Sequence, residues 1–366
     1  MQVIEWLIAN DMNWDKLKEE FGIKVRHYPE QDLHVLNYDQ VESPKMHPIV
    51  RECRGLILDY DLNVVARPFD RFFNRGEADT DQYEYMVLDW FEKMDGSFIK
   101  VYMHQGRWHI GTRGTAFAES DVNGFGITFE QLALRAFNAD SMDHFQEICK
   151  WACMFPEVTY MFELTARENR VVTQYTEARM SALAARNNNT GEYLTREHLK
   201  RLKPFCEVLD GIAGTAEEMT FRANNLTGLK EGFVGYLNGV PVMKVKSDAY
   251  VAVHHLRGEG LNPKRIAELV ATGEEDEYLA YFPEDEPMIG PYIDAKYKML
   301  KEMDAVYREV KHIENQKEFA LAVKDCFGHA LMFIARREGK FVWQVFVDID
   351  VSRKAKMIRE YKEKME

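Results

Sequence analysis

Lys93 stands just ahead of an Asp-Gly pair, in the stretch Trp90-Phe91-Glu92-Lys93-Met94-Asp95-Gly96-Ser97-Phe98. An amine set among apolar residues loses part of its hydration, which lowers its pKa and makes it nucleophilic. Cations around it push the same way, and three other stretches supply them. Arg51-Glu52-Cys53-Arg54-Gly55 and Arg67-Pro68-Phe69-Asp70-Arg71-Phe72-Phe73 set arginines beside aromatic rings, a pattern suited to phosphates and bases, since guanidinium forks onto phosphate and rings stack on bases. Farther on, Lys244-Val245-Lys246 alternates with an apolar residue. Two carboxylates complete the set: Glu163 inside the apolar run Tyr160–Leu164, and Glu231 ahead of Gly232. A carboxylate in an apolar run needs a partner, a lysine or a metal, if it is buried. Taken together these groups fit phosphoryl transfer, which asks for in-line positioning and charge neutralisation more than for covalent work by many groups. Taken singly, each has an ordinary reading as a turn or a solvated rim.

The elements that must carry these residues are mostly strands. Lys93 ends one strand, a tight turn follows at Asp95-Gly96, and a second strand starts at Phe98. His34–Tyr38, 55–59 and 64–67 read as strands, the last two joined through Tyr60-Asp61-Leu62-Asn63. With His104–Arg107 as a loop, Met103 pairs with Trp108 and Arg113 falls opposite Phe98. Asn238-Gly239 between alternating residues is a strong hairpin signal. A two-residue turn there pairs Leu237 with Val240, hence Phe233 with Lys244 and Glu231 with Lys246, and places the carboxylate and both lysines on one face. Residues 1–30 read as short helices, with Asp11 or Asn13 capping Trp14, Leu17 and Phe21. Residues 128–155 are helical, with Phe145, Ile148, Cys149 and Ala152 as the core stripe. Past His255 the texture is helical and polar: helices at 263–271, at 293–315 with Tyr297, Leu300, Met303 and Tyr307 as its stripe, and at 318–336, then a basic end.

Composition sets the outer bounds. At 366 residues the chain is expected to hold two domains, 1–254 and 255–366. Five scattered cysteines suggest neither a disulfide framework nor a zinc site, and no apolar run or leader points to a membrane. A cytoplasmic, reducing location and a monomer are the expectations. The net charge of −13 argues against indiscriminate polyanion binding, but leaves room for a local basic site.

In this order, the segments resemble the motifs of the covalent nucleotidyltransferases, and motif by motif the ATP-dependent RNA ligase 1 family of T-even-type phages. Lys93-Met94-Asp95-Gly96-Ser97 matches the lysine motif. Arg51–Gly55 and Arg67–Asn74 are similar to the upstream nucleotide-binding segments. Phe162-Glu163 with Glu168-Asn169-Arg170, Glu231-Gly232-Phe233-Val234, and Lys244–Tyr250 resemble the later three. The likeness runs from about Tyr38 to His255. It implies an α+β chain: an antiparallel-sheet adenylyltransferase domain followed by an all-helical C-terminal domain that selects the RNA.

It implies that Lys93 takes AMP from ATP, with Mg²⁺ or Mn²⁺, and passes it to a 5′-phosphate RNA end that is then joined to a 3′-hydroxyl. Arg54, Lys244 and Lys246 would hold phosphates. Glu163 and Glu231 would orient the ribose or a metal's waters, Tyr38 and Phe73 would shape the nucleoside pocket, and Tyr250 would serve a later step. Asp276, in the acidic run 274–277, is a candidate for an accessory metal. The substrate implied is a cleaved tRNA anticodon loop. Arg71 and Arg113 stand where better-known members have lysine, which keeps charge but not geometry. Ser97 favours RNA ligases over DNA ligases and capping enzymes, which usually carry arginine there. A DNA ligase, an mRNA guanylyltransferase or a silent RNA-binding relative are the alternatives. No GxxxxGK[ST] segment occurs, and a kinase domain is not expected in this length.

Overall fold

The computed structural model describes residues 1–257 and 261–365. Its strands, in chain order, are β1 (Ile23–Tyr28), β2 (Leu33–Tyr38), β3 (Arg54–Asp59), β4 (Val64–Ala66), β5 (Phe73–Asn74), β6 (Leu88–Lys93) and β7 (Ser97–His104). There follow β8 (Arg107–Thr112), β9 (Val158–Thr165), β10 (Arg179–Asn187), β11 (Glu207–Val208), β12 (Ile212–Gly214), β13 (Gly232–Leu237) and β14 (Val240–Lys246). They form three sheets, ordered β1-β2-β3-β4, β11-β10-β9-β7-β8 and β12-β6-β13-β14-β5. The pairing is antiparallel except for the short β11 and β5. The chain divides into two compact units, Met1–Ala252 and Val253–Glu366. All these strands lie in the first, and the described part of the second is helical, so the expected α+β architecture is the one observed. No helix among the described residues is long and apolar enough to cross a membrane.

Local chemistry explains most boundaries. Asn13 accepts from the Lys16 N–H and opens the helix Trp14–Phe21. Gly22, at φ 65°, closes it, and the period then switches from helix to strand, so Ile23–Tyr28 belongs to a sheet and not to the helical part expected over 1–30. Phe145, Ile148 and Cys149 are buried on Met142–Trp151 as expected, although 128–155 is two helices rather than one. In the second unit the long helix spans Glu286–Val310 and buries Tyr292, Ala295, Met299, Met303 and Tyr307. Tyr297, expected in that stripe, points outward at 63% exposure. The helix expected over 318–336 is interrupted between Val323 and His329, and Gly328 in that gap takes a φ of 68°.

One difference bears directly on the site. β6 and β7 do not form a hairpin: β6 pairs with β12 and β13, while β7 pairs with β8 and β9. Met94-Asp95-Gly96 is therefore a crossover from one sheet to the next. A Cβ on Gly96 would lie 2.2 Å from the Leu164 carbonyl oxygen, so this glycine serves the close approach of the crossover to β9, the neighbour of β7, rather than a turn.

Candidate active site

Lys93 ends β6 directly opposite Gly232 of β13, and Gly232 is opposite Lys246 of β14. The two lysines thus flank a residue with no side chain. Gly232 has φ 142°, and a Cβ there would meet the Val245 carbonyl oxygen at 2.1 Å. The carboxylate of Glu231 occupies the space between the lysines, with Oε2 2.5 Å from Lys93 Nζ and Oε1 2.8 Å from Lys246 Nζ. The expected register is off by one: a bulge between Gly235 and Tyr236 leaves Leu237 opposite Val240 but sets Val234 against Lys244 and Phe233 against Val245. Pro241, which has no N–H for the ladder, lies where the slip occurs. The charges still converge, because Glu231 reaches across from just outside the strand.

Two rungs along the same face, Phe91, Val234 and Lys244 align. The facing sheet supplies Phe98 and Glu163, paired across β7 and β9. Glu163 Oε1 accepts from the Gly96 N–H at 3.2 Å. Arg54 stands over Phe98 and Phe72, 5.3 and 6.0 Å from the ring centres, and its buried Nη1 has no hydrogen-bond partner. Arg54, Phe72, Phe91, Lys93, Phe98, Glu163 and Val234 line one cavity of roughly 540 Å³, mouth included, with Phe69, Leu183 and Arg196 also on its wall.

The electrostatics correct one expectation. Burial pushes the Lys93 amine down, but Glu231, Glu163 and Asp95 outweigh it, and its pKa lies above the usual lysine value. The lysine that the cations do depress is Lys244, brought to about 7 by burial and by Lys93, Lys246, Arg54 and Arg71. Glu163 is pushed up to about 7, chiefly by burial. Glu231 is drawn down, since Lys93 and Lys246 overcome its burial.

Other expected residues have different surroundings. Tyr38 and Phe73 do not line the Lys93 cavity. The Tyr38 hydroxyl accepts from Arg71 Nη1 at 2.6 Å, and the Phe73 ring lies 5.1 Å from the Arg71 guanidinium and 5.6 Å from that of Arg51. Arg113 is exposed just past β8, its carbonyl accepting from Asn37 Nδ2 at 3.0 Å. Tyr250 is buried and donates to Asp95 Oδ1 at 2.6 Å, while Asp95 Oδ2 accepts the Val172 and Thr173 N–H groups. Tyr250 therefore holds the crossover that carries Lys93. Asp276 lies exposed in the first turn of the helix Glu275–Tyr281 in the second unit, where its neighbour Glu275 pairs with Lys296. Among the described residues no group of three or more potential ligands gathers for a metal.

Three residues take positions in or beside the site for which the sequence alone gave no role. Arg196 stacks 3.7 Å from the Phe91 ring centre and donates to the Leu183 and Leu209 carbonyls, a wall residue set by tertiary contacts alone. Asn169 accepts from the Ser97 hydroxyl at 2.9 Å and donates to the Leu164 carbonyl. Lys100 is fully buried and donates to the Gly55 carbonyl at 2.7 Å, beside Arg54, and burial brings its pKa to about 7.

Lys93 at the sheet crossover and Glu231 from the neighbouring hairpin both lie in the segment of the chain that a family model matches. The family model described as RNA ligase, of the T4 RNA ligase 1 type, matches residues 52–232. It is 37% identical over 359 residues to a protein of Autographa californica nuclear polyhedrosis virus named as a bifunctional polynucleotide kinase/RNA ligase, a match covering 94% of this chain and 51% of that one. The chain thus spans about half the length of that relative. An RNA ligase of Rhodothermus phage RM378 is 23% identical over 357 residues, covering 78% of this chain and 81% of the relative. A solved archaeal ATP-dependent RNA ligase aligns with a TM-score of 0.44 at 14% identity, over 88% of this chain and 77% of that one.

Proposed function

We propose that this chain is an ATP-dependent RNA ligase that works through a lysyl-AMP intermediate on Lys93. The observation that carries the reading is Lys93, paired with Glu231 in the Lys93–Glu231–Lys246 row, and Arg54, whose Nη1 is unpartnered, lining one cavity walled by aromatic rings. A buried guanidinium N–H with no acceptor is costly unless an anion completes it, and the rings suit a base. The family-model match and the two relatives named for RNA ligation support the same reading.

In the first step Nζ of Lys93, having lost its proton, attacks the α-phosphorus of ATP; the P–N bond forms as the bond to the β-phosphate breaks and pyrophosphate leaves. In the second, an RNA 5′-phosphate oxygen attacks the same phosphorus and the P–N bond breaks, returning the amine. In the third, a 3′-hydroxyl attacks the RNA 5′-phosphate and AMP leaves. Lys244, Lys246 and Arg54 neutralise phosphate charge, and Glu231 holds Lys93 and Lys246 in register. Mg²⁺ or Mn²⁺ adds charge neutralisation on the phosphates when bound. Glu231 spends both oxygens on lysines, so Glu163, with Oε2 free, is the carboxylate that would hold such an ion's waters. The RNA is a cleaved tRNA anticodon loop, selected by the helical unit Val253–Glu366 of a monomeric enzyme.

The test is to incubate the protein with radiolabelled ATP and Mg²⁺, then supply nicked or single-stranded RNA and DNA. A covalent adduct that Lys93→Ala abolishes, with sealing of already 5′-adenylylated RNA retained in that variant, is expected. Faster sealing of DNA nicks than of RNA ends would move the assignment to a DNA ligase.

A further inference from the structure

Lys100 is a fully buried lysine in the middle of a sheet. It stands on β7 opposite Gly111 of β8 on one side and Met161 of β9 on the other. Phe98 and Tyr102, two residues away in either direction, share its face of the strand. Tyr102 packs there with Leu33, Val35 and Ile57 of the first sheet. An apolar side chain would fill the place of Lys100 without losing hydration, so an amine buried there needs a partner. The partner is the Gly55 carbonyl, which accepts from Lys100 Nζ at 2.7 Å. Room for the stem comes from Gly111, where a Cβ would lie 3.0 Å from Lys100 Cε.

Gly55 is the irregular residue of β3. The ladder pairs Leu36 of β2 with Leu56 and then Asn37 with Arg54, which leaves Gly55 in a bulge without a strand partner. Its φ is 87°, and a Cβ there would meet the Arg113 carbonyl oxygen at 2.7 Å. A bulge re-aims the side chain beside it. Here that side chain is Arg54, whose guanidinium stands 5.3 Å from the Phe98 ring centre and lines the Lys93 cavity. Phe98 and Lys100, on one face of β7, thus hold the bulge at two points: the ring under Arg54 and the amine on the Gly55 carbonyl. Lys100 itself does not line the cavity.

We propose that Lys100 is a positioning residue for adenylyl transfer: by fastening the Gly55 carbonyl it fixes the bulge that aims Arg54 at the nucleotide's phosphates. The proposal rests on the RNA ligase reading and adds to it a residue that touches neither the nucleotide nor Lys93 and acts through Arg54. Without the amine, the Gly55 carbonyl keeps an unmet acceptor against the face of β7, and the bulge relaxes to satisfy it. The Arg54 guanidinium then loses its place over Phe98.

The test is single-turnover adenylylation of the full chain by radiolabelled ATP, in wild type, Lys100→Met, Arg54→Met and the double variant, with thermal unfolding followed in each. Tyr102→Phe is the control: it removes an equally buried donor on the same face of β7, one that serves the Ala116 carbonyl at 2.8 Å and not the bulge. Lys100→Met should lower the second-order rate constant for adenylylation about tenfold, as a displaced contact group does. In the Arg54→Met background the same substitution should cost less than about twofold more, because its effect runs through Arg54. Tyr102→Phe should lower the unfolding temperature and leave the rate constant within about twofold of wild type. Where Lys100→Met does not fold, Lys100→Gln, whose amide ends a bond short of the carbonyl, carries the same cycle. Losses that add in the double variant overturn the proposal. So does a Tyr102→Phe that loses as much activity as Lys100→Met, or the failure of both Lys100 variants to fold, since either makes the amine a general support of the sheet. A wild-type chain that forms no adduct sinks the ligase reading, and the proposal with it.

Discussion

Glu231→Gln removes one charge and almost no volume. The Glu231 side chain is 4% exposed, while those of Lys93 and Lys246 are 26% and 28% exposed. Taking the anion from a fully buried ion pair costs about 3–5 kcal/mol through the stranded partner, and the partial hydration of both lysines reduces this to about 1–3 kcal/mol. Part of that falls on Lys93 itself. Its pKa is held high by Glu231 acting against burial, so without the carboxylate burial gains and the amine loses its proton more easily. At about 1.4 kcal/mol per tenfold, the alkaline limb of lysyl-AMP formation should move toward neutral by roughly one to two pH units. The assay is single-turnover adenylylation with radiolabelled ATP across a pH series, fitted for the limb and the plateau separately. The plateau should drop, because Lys246 loses its anchor. A limb that stays in place while the plateau drops would falsify the claim that Glu231 sets the protonation of Lys93. The sign for stability is consistent: a raised lysine contributes fully below its ordinary value of 10.5 and is lost above, and a lowered carboxylate contributes above its ordinary 4.5 and is lost below. Wild type should therefore exceed the variant in stability across the whole range between those values.

Lys100 works in the opposite sense. Its folded pKa, about 7, is below its ordinary 10.5, so the unfolded chain binds more protons between these values and stability rises with pH there. Thermal unfolding of Lys100→Met should lack that rise, and an equal slope in both proteins would refute the buried amine. Gly96→Ala should cost more than about 2 kcal/mol in denaturant unfolding, since its methyl group would sit 2.2 Å from a carbonyl oxygen. Tyr250→Phe removes the donor to Asp95 and should slow adenylylation roughly tenfold with the plateau reached at the same ATP concentration; a raised KM for ATP instead would place Tyr250 on the nucleotide.

Several features of this site are local, and local features can be read in a sequence. The strand carrying Glu163, the Asn-Gly hairpin and the Asn13 cap follow from alternation, turn chemistry and side-chain oxygens within three residues of the groups they satisfy. The ordered motifs around Lys93, Glu163, Glu231, Lys244 and Lys246 carried the resemblance, because each is a short string whose residue types the chemistry requires. On Glu286–Val310 the expected stripe holds at Met303 and Tyr307 but not at Tyr297, because aromatic and aliphatic residues stand at adjacent helical positions and the period alone does not say which of two neighbouring stripes is covered.

What only the tertiary structure decided is which distant groups meet. Alternation could not show that Lys93 leads from one sheet into another, since a crossover and a hairpin share the same Asp-Gly signal. A bulge of one residue moved the register of β13 against β14, yet the absent side chain of Gly232 let Glu231 reach both lysines. Arg196 meets Phe91 across more than a hundred positions of sequence, a contact that no period encodes. The protonation of Lys93 is the clearest case. The apolar residues around it in sequence predict a lowered pKa, but the sign is set chiefly by Glu231 and Glu163, brought within reach by the fold, because charge interactions depend on distance in space and not along the chain.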